Sequence, residues 1–379
     1  MSNAVIVGYA RSPFTPAHKG ELARVRPDDL AAQVVRGLLD RTRVDAQAIE
    51  DLILGCAFPE GEQGFNVARL VGMIAGLPRS VAGTTVNRWC GSSMQAVHVA
   101  AGAIALGAGR AFIAAGVESM TRVPMMGFNP MPNPALAEKE PGAYMAMGIT
   151  AENLAAKYDI SRAEQEAYAV HSHRKAAAAQ SAGKLADEIV AIQTPDGARV
   201  VKDGCIRAET TAETLATLKP AFNAEGSVTP GTSSPLTDGA AAVLVVSEEF
   251  ARAHGLKVLA RIRATAVAGC DPTIMGIGPV PATRKALSRA KLSVEDLKVI
   301  ESNEAFAVQA LSVARELGFD DACVNLDGGA LALGHPLGAT GARITGKAAQ
   351  LLAREGGAFA LATQCIGGGQ GIATILEAV

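Results

Sequence analysis

Apolar residues open the chain in a short block, Ala4-Val-Ile-Val-Gly8, which reads as a strand. A helical run follows around 28–39, with Pro27 or Asp28 near its start. Asp51-Leu-Ile-Leu-Gly55 reads as a second strand and Thr84-Thr-Val-Asn87 as a strand edge. Ser92 to Ala108 reads as a helix dense in Ala and Gly, and Ala111-Phe-Ile-Ala-Ala-Gly116 as a strand covered on both faces. Strands alternating with helices predict an α/β fold with parallel pairing.

The pattern then returns. Val258-Leu-Ala-Arg-Ile-Arg263 reads as a strand, and Val294-Glu-Asp-Leu297 echoes Ile49-Glu-Asp-Leu52. Val324-Asn325 echoes Val86-Asn87, and Ala358-Phe-Ala-Leu-Ala362 echoes Ala111-Phe-Ile-Ala-Ala115. The repeated order implies an internal duplication. Between the halves lies a different region with Met and Pro clusters and a charged helix from Ser161, whose spacing to Glu164 fits a capping box. The expected division is residues 1–118 with 236–256, an inserted lobe over 119–235, and a second half over 257–379. An insertion this long suits a substrate-covering role.

Length and composition narrow the classes. A chain of 379 residues, 49% hydrophobic and 19% charged with net charge −2, fits a globular protein of two domains or one duplicated one. Near-neutral charge without Lys/Arg runs speaks against nucleic acid as the main partner. No stretch reaches 18 apolar residues, so no membrane span is expected. The first residues lack a basic leader pattern and the last are not Ser-Lys-Leu, which sets a cytoplasmic expectation. Six cysteines without Cys-x-x-Cys spacing read as reduced thiols, with no disulfide framework or zinc site.

Three segments combine reactive side chains with glycine-rich backbone. In Asn87-Arg-Trp-Cys90-Gly-Ser-Ser, a strand-to-helix turn puts Cys90 near a helix N-terminus, where dipole and N–H groups favour a thiolate or an oxyanion. On this segment alone, a nucleophile and an inert buried thiol are both open. In Leu333-Gly-His335-Pro-Leu-Gly338, His335 sits on a loop just before a helix-opening proline, a placement suited to catalysis or merely to capping. In Gln364-Cys365-Ile-Gly-Gly-Gly-Gln-Gly371, a strand ends at a cysteine and bare backbone follows, which permits close approach of a ligand. Gly341 to Ala348 nearly spells a P-loop, but Ala348 replaces the Mg²⁺-binding hydroxyl and the run reads as helix. His171 and His173, two apart on a helix, face different ways and make a poor metal pair. Cys56, Cys205, Cys270 and Cys323 read as packing residues.

Taken together, these segments resemble the thiolase family. Asn87-Arg-Trp-Cys90-Gly-Ser-Ser-Met-Gln-Ala, Asn303-Glu-Ala-Phe306-Ala, Gly334-His335-Pro-Leu-Gly and Cys365-Ile-Gly-Gly-Gly-Gln-Gly stand in the family's order, and Gly231-Thr-Ser-Ser234-Pro resembles its pantetheine-side segment. The wording is closest to the branch that acts in fatty-acid oxidation. The resemblance implies two duplicated halves with mixed five-stranded sheets in αβαβα layers, plus a CoA-covering lobe. It implies cleavage of 3-ketoacyl-CoA by CoA, with acetoacetyl-CoA formation from two acetyl-CoA as the alternative. Cys90 would be acylated, His335 would take its proton as a histidine near its free pKa, and Cys365 would protonate the departing enolate. One oxyanion hole would come from His335 and a water held by Asn303, a second from the N–H groups of Cys90 and Gly367. Ser234, Phe222 and Phe306 would line the substrate, with Met147 at the acyl end and Arg207 near the adenine. CoA is implied as co-substrate, with no bound cofactor and no metal. A homodimer or homotetramer is implied, with a β-oxidation multienzyme partner as an option. Two positions depart from the pattern. Asp327 stands where Asn is usual and, if close to His335, would raise its pKa; Trp89 stands where a smaller residue is usual and could narrow the acyl pocket or fill core.

Overall fold

The computed structural model describes residues 3–379. Met1 and Ser2, part of the stretch read for a leader, lie outside the described residues. The first half is built from β1 (Ala4–Arg11), α1 (Pro27–Thr42), β2 (Asp51–Gly55), α2 (Val67–Ile74), β3 (Ala82–Val86), α3 (Ser92–Ala105), β4 (Ala111–Ser119) and β5 (Thr237–Ser247). The second half repeats it with β6 (Ala260–Gly269), α6 (Pro279–Ala290), β7 (Leu297–Ser302), α7 (Ala307–Leu317), α8 (Leu337–Glu355), β8 (Phe359–Ile366) and β9 (Gln370–Glu377). The region between β4 and β5 holds α4 (Met147–Tyr158) and α5 (Arg162–Ser181). The expected capping box forms at the start of α5: Ser161 accepts from Glu164 N–H while the Glu164 carboxylate accepts in return.

Both sheets follow one pattern. In the first, β2 pairs in parallel with β3 and β4, while β5 is antiparallel to β4 and β1. In the second, β7 pairs in parallel with β8, while β9 is antiparallel to β8 and β6. The position matching β3 is filled by a single parallel bridge, Ile300 to Val324, so the fifth strand of the second sheet shrinks to one residue pair. A short antiparallel pairing of Val5 and Ile6 with Arg261 and Ala260 joins the two sheets into one ladder.

The layers follow from which faces are apolar. α1 and α2 cover the outer face of the first sheet and α6 that of the second. α3 and α8 fill the space between the sheets, packed against Ile6, Ile53, Ala114, Val299 and Ala362. This makes five layers, helix–sheet–helix–sheet–helix. α8 is buried along most of its length, and the near P-loop Gly341–Ala348 lies inside it. Its crossing with α3 is close enough that a Cβ on Gly341 would stand 2.2 Å from the Met94 nitrogen. Two charged residues on α8 are also buried and therefore paired: Arg343 with Glu301, and Lys347 with Glu188 and Asp327.

Candidate active site

Three of the expected residues, Cys90, Asn303 and Cys365, stand at strand ends or on the loops just beyond them, whereas His335 lies on the link between a helical turn at Ala330–Leu333 and α8. β3 leads into Asn87, and Asn87 Oδ1 accepts the Trp89 N–H at 2.8 Å. Trp89 adopts a left-handed backbone, φ 43°, which turns the chain sharply and presents Cys90 just before α3. Ser92 Oγ closes the turn on the Arg88 N–H at 2.9 Å, and Gln364 Nε2 donates to the Cys90 carbonyl. Cys365 lies near the end of β8, buried, and its thiol is pushed well up by burial and then by the neighbouring Cys90. Burial pushes the Cys90 thiol up to about 12, while the N–H groups of Gly367 and of Cys90 itself, both turned to the sulfur, pull the other way.

Asn303 follows β7, its backbone N–H donating to Thr363 O at 3.0 Å. Its Nδ2 lies 3.4 Å from Nε2 and 3.5 Å from Nδ1 of His335. Its Oδ1 is buried and makes no hydrogen bond to another protein group. His335 is buried, its Nδ1 2.7 Å from Thr340 Oγ1. Burial and then the Arg343 charge lower its pKa to about 3, so the ring is neutral at neutral pH. The expectation of a histidine near its free pKa is corrected accordingly: the site is drier than a loop position suggests.

The substrate-side residues partly converge. Met147, Phe306 and Cys365 share one apolar cluster. The Phe222 ring meets Phe306 edge-on at 5.9 Å, and Ser234 N–H donates to Ala305 O at 3.0 Å beside it. Arg207 makes its contact elsewhere: its backbone N–H donates to Nδ1 of buried His173 at 3.1 Å, and the residue is exposed. Among the described residues, no group of three or more His, Cys, Asp or Glu side chains is placed to hold a metal ion.

The thiolase N-terminal domain matches residues 4–249 and the thiolase C-terminal domain residues 256–378. The chain belongs to the thiolase family. It is 49% identical over 389 residues to a 3-ketoacyl-CoA thiolase of Bacillus subtilis (strain 168), covering 100% of each chain. It is 50% identical over 391 residues to a 3-ketoacyl-CoA thiolase of Shewanella sp. (strain MR-7), again with 100% of both covered. Among solved structures, an acetyl-CoA acetyltransferase of Bacillus anthracis superposes with TM-score 0.92 at 41% identity, over 100% of this chain and 99% of that one.

Both departures from the thiolase pattern are now placed. Asp327 is not a partner of His335. It is buried, bonded to Lys347 at 2.7 Å and twice to Arg354 at 2.7 and 3.0 Å. Burial pushes its carboxyl up, but these cations outweigh it and hold the group below its usual range. With its charge neutralised, it does not raise His335, whose pKa falls instead. Trp89 does not fill core: it is 39% exposed. Its ring lies over the glycine loop, where a Cβ on Gly368 would come within 2.4 Å of the indole and one on Gly367 within 3.2 Å of it and 3.5 Å of Met147 Sδ.

Sequence reasoning missed Thr340, Gln364, Glu118 and Glu304. Thr340 and Gln364 are ordinary polar residues until the fold brings them to His335 and Cys90. Glu118 had one signal, a carboxylate in an apolar strand run. Glu304 sat inside a quoted motif without being given a task.

Proposed function

We propose that this chain is a 3-ketoacyl-CoA thiolase that cleaves 3-ketoacyl-CoA with CoA to give acetyl-CoA and a shortened acyl-CoA. The observation that supports it best is the pairing of two donor sites with two thiols: Asn303 against the His335 ring, and the Gly367 and Cys90 N–H groups at the Cys90 sulfur, next to Cys365.

Cys90 Sγ attacks the substrate's C3 carbonyl as its proton passes to a nitrogen of His335. A thiol near 12 and an imidazole near 3 both stay neutral in the free site, so the proton moves only as the attack builds charge on oxygen. The N–H groups of Cys90 and Gly367 receive that oxyanion. The C2–C3 bond then breaks, and its electron pair forms the acetyl-CoA enolate, held by His335 and a water on Asn303. The Cys365 thiol protonates the enolate carbon. The resulting thiolate takes a proton from incoming CoA, whose sulfur attacks acyl-Cys90. Collapse releases the shortened acyl-CoA, and Cys90 recovers its proton from His335. Ser234, Phe222, Phe306 and Met147 line the acyl-pantetheine path, Arg207 stands toward the adenine, and residues 119–235 form the lobe over CoA.

The test is a thiolysis series from acetoacetyl-CoA to 3-ketopalmitoyl-CoA, alongside Cys90→Ala. Activity across medium and long chains supports the reading, and full activity of Cys90→Ala would sink it. The similarity to the Bacillus anthracis enzyme favours a second reading, condensation of two acetyl-CoA. Turnover confined to acetoacetyl-CoA would select it. A homodimer or homotetramer in the cytoplasm, alone or with a β-oxidation partner, fits this role. No helix among the described residues is long and apolar enough to cross a membrane.

A further inference from the structure

Two buried carboxylates take no step in the chemistry above, although the Glu118 charge adds to burial in raising the Cys90 thiol. Glu118, 1% exposed, ends β4; Glu304, 2% exposed, follows Asn303. Among the described residues, neither makes an ion pair with a Lys, Arg or His, and a lone buried charge is costly unless dedicated donors surround it. Both are so surrounded. Glu118 Oε2 accepts from the N–H groups of Ala57 at 2.8 Å and Gly338 at 2.9 Å, and Oε1 from Gln63 Nε2 at 2.8 Å and Phe58 N–H at 3.2 Å. Glu304 Oε2 accepts from Ser172 Oγ at 2.7 Å and Leu331 N–H at 3.1 Å, and Oε1 from Asn325 Nδ2 at 2.8 Å and Tyr168 Oη at 3.3 Å.

Their placement is symmetrical about His335. Glu304 grips the segment at Leu331 and Glu118 at Gly338, with His335 between. The chain is shaped for both contacts. A Cβ on Gly329 would come within 2.0 Å of the Glu304 carboxyl carbon, and one on Gly338 within 2.8 Å of Glu118 Oε2. Each carboxylate also reaches a second part of the site: Glu304 is covalently next to Asn303, and Glu118 holds residues 57–58, where Asn87 Nδ2 donates to Ala57 O at 3.1 Å.

We propose that Glu118 and Glu304 are positioning residues that clamp the His335 segment at its two ends and so fix the imidazole relative to Asn303 and the Cys90 turn. This rests on the reading of His335 as the base. Glutamine cannot replace either carboxylate, because both oxygens accept and an amide NH₂ would face N–H donors. A loosened segment lets the imidazole drift, and misplacement by about 1 Å costs on the order of 100-fold in rate.

The test is a double-mutant cycle with His335→Ala, read as kcat and KM on protein shown folded by circular dichroism. Glu304→Gln and Glu118→Gln are each expected to lower kcat by about 10- to 100-fold with KM for acyl-CoA little changed. In the His335→Ala background, the same changes should cost less than about 3-fold, because the group they position is gone. Equal losses in both backgrounds would overturn the clamp. So would unchanged kcat in folded Glu304→Gln. If Glu118→Gln does not fold, Glu304→Gln and Gly329→Ala, which displaces the same carboxylate, carry the cycle alone. Full activity of His335→Ala by itself would instead remove the underlying assignment of the base.

Discussion

In the first half of the molecule β2 and β4 run side by side with Gly55 opposite Gly116; in the second half β7 and β8 do the same with Ser302 opposite Thr363. One residue beyond the end of β2 stands Cys56, and one residue beyond the end of β7 stands Asn303. Two residues beyond the paired position stand Glu118 and Cys365. Equivalent positions therefore hold different chemistry. On the proposed mechanism, the first half contributes one nucleophile and spends its strand ends on backbone-binding groups. The second would then contribute the Asn, the acid and, just ahead of α8, the base. Duplication supplied two sets of strand ends facing one cleft, and the two sets diverged in function.

Breaking the contrast at its strongest point means Cys90→Ala, which should lower thiolysis by about 10⁴-fold or more in a coupled CoA assay. Asn303→Ala should cost on the order of 10² to 10³-fold in kcat, since it removes the group that holds one of the two oxyanion donors. Cys56→Ala, its counterpart in the first half, should stay within a few-fold of wild type; a comparable loss there would erase the distinction. Asp327→Asn breaks a buried charge set and should cost about 3 kcal/mol of stability in denaturant titration. Its pH–rate curve should match wild type, because Asp327 does not face His335.

The buried histidine gives a pH signature. His335 has a folded pKa near 3, below its unfolded value of about 6.5. Above about 6.5 both states are neutral and it has no effect. Below that the unfolded chain gains a proton that the folded one refuses, so stability falls toward pH 3. His335→Asn should flatten this slope by about 1.4 kcal/mol per pH unit between roughly 6 and 4, seen in denaturation midpoints. The smallest effect is expected at Trp89. Its ring caps the glycine loop beside Met147, so Trp89→Leu should change the long-chain to short-chain kcat/KM ratio a few-fold, about 1 kcal/mol.

Much of this was legible in the sequence because it is local. Apolar blocks marked strands, and glycine beside Cys90, His335 and Cys365 marked backbone that a ligand can approach. The echoed tetrapeptides disclosed the duplication. What stayed hidden depends on register and distance. Asp327 looked adjacent to His335 along the chain, yet its partners, Lys347 and Arg354, come from further along α8. The pKa of His335 follows from burial by elements remote in sequence. Glu118 corresponds to Cys365 only after strands more than two hundred residues apart are aligned.

The order of strands in the first sheet also bears on how the chain acquires its shape. β1 lies between β5 and β6, with Ala4 opposite Ser247 and Ile6 opposite Ala260. β1 thus has both its neighbours encoded far downstream, beyond residues 119–235. Such non-local pairing makes folding slow. During synthesis the apolar β1 must wait, a natural client for chaperones until the middle of the chain has emerged.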